Sequence, residues 1–317
     1  MPSGVLQSGH RRRGAGLVLD QIPELERAIL LSRHKGRTVY VDSAVSSSGN
    51  GDSWSGAYDT LEEAVDAALA DDMILVAPGH AETITSMSIS KARVSIIGLG
   101  RGASAPTLTF GAAATTITIA AAGVSVSNLH LVANFLDVAS AFTIGAAKDF
   151  CCDSCRFIDT SAILNFLSAI TTGSTANAAD GLTVTNCYQF GLNTSPLAFI
   201  SILGNLDRLY VCDNSVDSAS TADVGSFLTI AALVIRGALI GRNTHNVVGA
   251  TGASVAVFIT GSSTTNTGMV FENYVTSLDT TAALLITAAI NLAVHENYMS
   301  GVVAGSGTVF PAADAPS

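Results

Sequence analysis

Charge and aromatic rings are both scarce in this chain. Only 13% of its 317 residues are Asp, Glu, Lys or Arg, aromatics make up 6%, and there is a single Trp. Long helix-forming Glu/Lys runs are missing, and Ala, Ser, Thr, Gly and Val dominate instead. That mixture suits many short strands joined by small turns. No apolar run reaches the roughly 18 residues a membrane helix needs. FLTIAALVIRGALI (227–240) comes closest and is interrupted by Arg236, so no membrane partner is expected. The leading residues MPSGVLQSGHRRRGAG contain no apolar h-region, so no secretory signal is expected either.

Cysteine is sparse as well. Cys151, Cys152, Cys155, Cys187 and Cys212 make an odd set. With no secretory signal expected, they argue against a disulfide framework. Cys152 and Cys155 form one Cys-x-x-Cys, but the second knuckle of a structural zinc site is missing. The five read as buried free thiols, with no metal and no cofactor expected.

The charge that is present is unevenly placed. The chain carries −10 overall, yet in residues 1–37 Arg11, Arg12, Arg13, Arg27, Arg33, Lys35 and Arg37 outnumber Asp20, Glu24 and Glu26. A basic arm on an acidic body suits docking on an acidic partner, with Arg11, Arg12 and Arg13 as the anchor; a solvated tail is the alternative. Nucleic acid is not the expected partner, because the run is short and has no aromatic interleaving.

Repetition dominates what remains. VSVSNL (124–129), FCCDSC (150–155), LTVTNC (182–187), YVCDNS (210–215), LIGRNT (239–244), VFENY (270–274) and AVHENY (293–298) end alike. Aligned on their polar residue they give Asn128, Ser154, Asn186, Asn214, Asn243, Asn273 and Asn297, spaced by 24 to 32 residues, with Gly98 of VSIIGL one step earlier. An alternating apolar run lies before each repeat, as in TITIAAAG, FLSAITTG and AVFITGS. Propeller blades need about 40 residues and four strands, and leucine-rich repeats a strict Leu frame, so neither fits. Two or three short strands per turn of roughly 28 residues fit a parallel β-solenoid. Equivalent residues then stack at about 4.8 Å, apolar columns inward and an Asn ladder at the bend. Cys155 falls opposite Cys187 and Cys152 opposite Val184, while Tyr274 and Tyr298 stack on adjacent coils.

A solenoid end exposes apolar core and an unpaired strand edge, so it needs a cap. DTLEEAVDAALADD supplies one as a helix over 59–70, with Thr60 and Glu63 as a capping box and Leu61, Ala64, Val65, Ala68 and Leu69 as its apolar face. MILVAPG reads as the strand after it and TVYVD (38–42) as an edge strand before it. Ile22, Leu25 and Ile29 suggest a short helix in the arm, with Pro23 in its first turn. The expected organisation is an arm over 1–37, a solenoid of about eight coils over 38–304 and a flexible tail over 305–317.

The stretch from TVYVDS to SIIGLG resembles the N-terminal lead-in of the right-handed parallel β-helix, pectate-lyase-like superfamily. The features are strand, Gly/Asp loop with Trp54, Thr-Leu-x-x-Ala helix, Asp-x-Ile-x-Val-x-x-Gly strand and Ile-x-Gly. The likeness covers roughly residues 38–300 and implies an all-β right-handed parallel β-helix. It leaves function open, because the fold hosts lyases, hydrolases, adhesins and viral spikes.

The family's hydrolases use paired carboxylates and its lyases use calcium-binding Asp residues with a basic residue. The outward ladder of this chain reads Ser127, Asp153, Thr185, Asp213, Arg242, Glu272 and Glu296. Glu272 and Glu296, with His295 beside the second, are the only catalytic candidates; solvated carboxylates partly offset by Arg242 are the competing reading. Lys148, Arg208 and Arg236 fall at similar offsets and suggest a surface column. His80, His130 and His245 cluster with no carboxylate at a readable ligand spacing. The expected function is therefore a structural virion protein of a tailed phage, a capsid decoration or spike, anchored by its arm to capsid or tail. Resemblance to phage β-helix proteins implies a homotrimer. The alternatives are a polysaccharide lyase or hydrolase acting on surface glycans, and a bacterial adhesin exported without a signal.

Overall fold

Period-2 alternation lets a strand bury every second side chain, and a chain built of such strands closes best by stacking them edge to edge. The computed structural model describes residues 35–192, 197–219, 225–230, 234–247, 257–261, 265–277, 284–286, 291–300 and 309–310. These form a parallel β-solenoid of three long sheets, with a short fourth one pairing Leu206–Asp207 with Ile235–Arg236. The first sheet has ten strands, Thr38–Val41, Met73–Val76, Ser95–Gly98, Ser125–Ser127, Cys151–Asp153, Thr183–Thr185, Tyr210–Cys212, Ala238–Gly241, Gly268–Phe271 and Ala293–His295. The second runs from Ala81–Ile84 through strands such as His130–Ala133, Tyr188–Gly191 and Thr244–Val247 to Asn297–Ser300. The third has eight strands, Met87–Ile89 to Leu284–Ile286, and every complete coil contributes one strand to each sheet. The anchor residues Arg11, Arg12 and Arg13 and the arm helix lie outside the described residues. Val309–Phe310, inside the segment read as a flexible tail, pairs antiparallel with Asn297–Ser300.

The interior is a set of apolar columns. In the third sheet Met87, Ile117, Phe142, Ile170, Ile200, Leu228 and Ile259 lie in register, all buried. The few aromatics are concentrated inside. Phe157, Phe199, Phe227 and Phe258 follow one another with centroids 5.8, 5.4 and 4.6 Å apart, spacings at which rings attract beyond simple burial. All five cysteines are free; Cys152, Cys155, Cys187 and Cys212 are buried as expected, but Cys151 is only half-buried, because it alternates to the outer face of its strand. Burial raises Cys151 to about 11. Cys152 is pushed well up by the neighbouring thiols of Cys155 and Cys187 and by burial. These thiols pack as small apolar groups rather than as nucleophiles.

The first and second sheets are joined by a single left-handed residue in most coils. It is Asn128, Ser154, Asn186, Asp213, Arg242, Glu272 and Glu296, with φ between 47° and 63°. The strand registers correct the Asn alignment at this point. Val184 pairs with Val211 and Thr185 with Cys212, so Asn186 lies opposite Asp213, and Cys187 opposite Asn214. Asn128, Ser154 and Asn186 are outer corner residues, whereas Gly98, opposite Val76, is a buried strand residue without positive φ. Asn214, Asn243, Asn273 and Asn297 sit one position later, turned inward and at most 2% exposed, in the column of Leu129, Cys155 and Cys187. The bend, not the Asn, is what repeats. Asn is one residue that tolerates it, and a separate inward Asn takes over where the thiols end.

That inward ladder is fully satisfied. Asn243 Oδ1 accepts from the backbone N–H and the side-chain amide of Asn214, at 3.0 and 2.9 Å. Its own amide donates to Val211 O at 2.9 Å and to Asn273 Oδ1 at 3.0 Å. Asn273 repeats the pattern onto Asn297. The first rung takes the Cys187 N–H. Outside, Tyr274 and Tyr298 stack at 4.9 Å with planes 12° apart.

The cap helix spans Leu61–Ala67, shorter than 59–70. Thr60 Oγ1 accepts from Glu63 N at 3.2 Å, but Glu63 does not return the bond; its carboxylate takes the Ser48 hydroxyl. Leu61, Ala64 and Val65 are buried, whereas Leu69 is 56% exposed. Ala68 is already extended, and Asp72 accepts the Leu69 N–H at 2.8 Å, which turns the chain into Met73–Val76. Residues 49–58 cover the outer edge of Thr38–Val41, and Trp54 sits edge-on to Tyr40 at 4.7 Å.

Asn243→Ala removes an amide that four buried groups depend on and is expected to cost about 3 kcal/mol, whereas Asn186→Ala at the open corner costs about 1 or less. Urea denaturation of the two variants checks this. Equal losses would contradict the separation of inner ladder and outer corner.

Candidate functional site

Each coil also turns sharply on its way into the first sheet, and this second corner gathers much of the surface charge. Just before the strands of the first sheet, Asp71, Arg93, Gly123, Asp149, Gly181, Arg208 and Gly237 are left-handed, with φ from 57° to 78°. Residues at such a corner point outward, where charge costs little. Asp71 and Arg93 of neighbouring coils meet in a two-pronged pair at 2.6 and 2.8 Å. Arg208 reaches Asp149 at 3.2 Å across the intervening Gly181. One residue upstream, Lys148 pairs with Asp180 at 2.9 Å and Arg236 with Asp207 at 3.6 Å. Lys148, Arg208 and Arg236 thus occupy two adjacent columns rather than one, again because the Asn alignment slips a residue at Asn214. Burial alone would raise the Asp180 pKa. The Asp207 N–H and the Lys148 ammonium outweigh it and hold the carboxyl below its usual value.

Beside this corner, on the outer face of the first sheet, lies an open groove of about 500 Å³. Tyr210 and Leu239 line it together with Thr183, Gly237, Arg208 and Asp149. The combination of an apolar ring face, a hydroxyl and opposite charges can hold a polar ring compound. It is not arranged for acid–base chemistry, because Asp149 and Arg208 are paired with each other.

Glu272 and Glu296 are brought side by side at the first corner, both exposed, with the Glu272 N–H donating to His295 O at 3.2 Å. His295 is exposed on the first sheet, opposite Phe271. Arg242 does not offset them. Both prongs of its guanidinium go to Asp213 at 2.7 Å, which lowers the Asp213 pKa and raises that of Arg242. The two glutamates project side by side from an exposed corner.

Two clusters escaped the sequence. His80 does meet a carboxylate, its Nε2 lying 3.1 Å from Glu82 Oε2, and Nδ1 accepts the Ser43 N–H at 3.0 Å. Glu82 also accepts the Leu61 N–H at 2.7 Å. The spacing of two residues along an extended segment, one side of a strand, was the available signal. With Nδ1 already accepting from Ser43, the ring ties the first coil to the cap helix instead of serving as a base. On the second sheet, Arg156 stacks over Tyr188 at 4.9 Å. Tyr188 OH donates to Asp217 at 2.9 Å, Asn246 donates to Asp217 at 2.8 Å, and Thr276 donates to Asn246 at 2.7 Å. Burial, then the bond to Asp217, pushes Tyr188 up to about 12.

No family model matches the sequence. No curated protein matches it either. Among solved structures it is similar to the crystal structure of pectate lyase Pel9A, with a TM-score of 0.40 and 12% identity over 86% of this chain and 78% of that one. The β-solenoid follows from the strand registers themselves, and no residue role is transferred from that enzyme.

Gly181→Ala tests the corner. A Cβ would lie 2.2 Å from Asp149 Oδ1, on a backbone with φ of 78°. The left-handed conformation alone costs an alanine about 1 kcal/mol. The variant should melt lower than the parent, and Asp149→Ala in the same chain should recover part of the loss by removing the clash. An unchanged melting temperature in the single variant would contradict the geometry.

Proposed function

We propose that this chain is a structural component of a tailed-phage virion, a capsid decoration or spike, held by its basic arm and associated through apolar strips on its solenoid. The observation that carries the reading is a ridge at the corner between the second and third sheets. Phe135 and Leu136, then Ile163, then Leu197 lie on three consecutive coils, 42%, 52%, 63% and 60% exposed. The coils are laced at that point by Asn165 N–H to Phe135 O and Leu197 N–H to Leu167 O. Clustered exposed apolar side chains mark contact surfaces more often than scattered ones do. A mean hydropathy of +0.45 accords with surface buried between copies. A three-fold assembly is the arrangement proposed, with capsid or tail proteins as the further partners. The groove at Tyr210 and Leu239 supports a second reading, a surface glycan bound or cleaved along the first sheet.

Native mass spectrometry of the purified chain should give a trimer, and Ile163→Lys with Leu197→Lys should give monomers of unchanged melting temperature. Deletion of residues 1–16 should abolish attachment to the particle; unchanged attachment would overturn the anchor. Cleavage of a capsule polysaccharide that is lost in Glu272→Gln or Glu296→Gln would overturn the structural reading in favour of an enzyme.

A further inference from the structure

One titratable group sits where no charge can be accommodated. His245 lies in Thr244–Val247 of the second sheet and faces inward. Its column contains Leu108, Leu131, Phe157, Gln189, Val216, Val275 and Met299. The residue is 0% exposed, and neither ring nitrogen has a hydrogen-bond partner among the described residues. The ring packs 6.3 Å from that of Phe227. Its in-register neighbours along the column, Val216 and Val275, cannot accept a proton or a hydrogen bond.

The charged groups nearby all face elsewhere. Asp217, on the strand of Val216, alternates outward and already accepts from Tyr188 and Asn246. Thr244 and Asn246 flank the histidine and alternate to the outer face. The strand Tyr274–Ser277 offers no ionisable group besides the exposed Tyr274, and the strand of Phe227, Ser226–Ile230, offers none. Arg242, at the preceding corner, is turned to Asp213. Burial lowers the His245 pKa to about 4, with the Asp217 charge only partly opposing it.

We propose that His245 is an acid-sensitive latch: the imidazole can take up a proton only by leaving the core, so acidification opens the coils around Thr244–Val247 while the N-terminal coils stay closed. The inference does not depend on what the chain attaches to. Among the described earlier residues of the column the titratable group is Glu82, opposite Leu108, and it is held by His80 and by the Leu61 N–H, unlike His245, which has no partner among the described residues. Of the other described histidines, His80 is held by Glu82 and Ser43, His130 is half-buried on the outer face, and His295 is exposed. His130 is lowered by burial and by Arg156, so it adds an effect of the same sign. It reaches water without disrupting the interior.

The sign follows from proton counting. Between pH 6.5 and about 4 the opened chain binds a proton at this site and the closed chain does not. Stability is therefore complete above the unfolded value and falls as the pH drops through that window. Going from about pH 8 to about pH 5, the open fraction of these coils should rise about 30-fold.

Hydrogen exchange followed by mass spectrometry on the full chain tests this directly. At low pH, peptides from residues 235–300 should lose protection, after correction for intrinsic exchange, while those from 73–133 keep theirs. His245→Met and His245→Gln should each flatten the pH dependence of the 235–300 region. A 30-fold steepening that persists in a folded variant overturns the proposal, as does equal loss throughout the native chain. Should neither variant fold, proton NMR of the native chain decides. A His245 resonance that stays neutral down to about pH 5 supports the latch, and one that titrates near the ordinary value overturns it.

Discussion

Everything in this solenoid depends on turning the chain through a single left-handed residue between the first and second sheets. A parallel coil must change direction without losing register with the coil below. One residue at positive φ does so while its own N–H still reaches the next coil, as Asp213 N–H reaches Gly241 O at 3.1 Å and Arg242 N–H reaches Phe271 O at 3.1 Å. Because the bend is short, the next residue is forced inward. That inward position must be filled by a group that is either apolar or completely hydrogen-bonded. Leu129, Cys155 and Cys187 are the apolar solution, and Asn214, Asn243, Asn273 and Asn297 the hydrogen-bonded one.

The same geometry governs the charges. Both corners turn side chains outward, and the described cations at them are met by carboxylates one or two coils away: Arg93 by Asp71, Lys148 by Asp180, Arg208 by Asp149, Arg236 by Asp207 and Arg242 by Asp213. Exposed pairs of this kind add little stability. They run along the solenoid, tying coils to one another instead of converging on a point. Glu272 and Glu296 extend that corner beyond the last arginine, which accounts for their proximity. The apolar ridge of Phe135, Leu136, Ile163 and Leu197 is built at the third corner, where the connecting segments have room to vary.

Much of the fold was legible because period-2 alternation and a repeat near 28 residues are strong signals. The third-sheet strands of TITIAAAG and FLSAITTG fall where the alternation places them, and Tyr274 stacks on Tyr298 as the repeated ENY implies. The register slip at Asn214 was not legible, because Asn is suited both to a left-handed corner and to an inward amide ladder. LTVTNC and YVCDNS carry it in different roles one position apart. The helix end was misjudged for a related reason. Ala68 and Leu69 continue an apolar helical pattern, but the Asp72 carboxylate captures the Leu69 N–H. The groove at Tyr210 and Leu239 depends on residues of four consecutive coils, and no local pattern encodes it. The polar neighbours of His80 were in plain view at a strand spacing, whereas the isolation of His245 is a property of the columns beside it.

Register is the claim on which the account stands, and a pair of engineered cysteines reads it directly. In a background with the native thiols replaced, Asn186→Cys with Asp213→Cys places two sulfurs on adjacent coils at about the 5 Å Cα spacing a disulfide accepts. Mild oxidation followed by peptide mass mapping should give a quantitative 186–213 cross-link. The pair 186 with 214 should give none, because residue 214 points into the core. A cross-link between 186 and 214, with 186 and 213 remaining free, would contradict the corner and the ladder together.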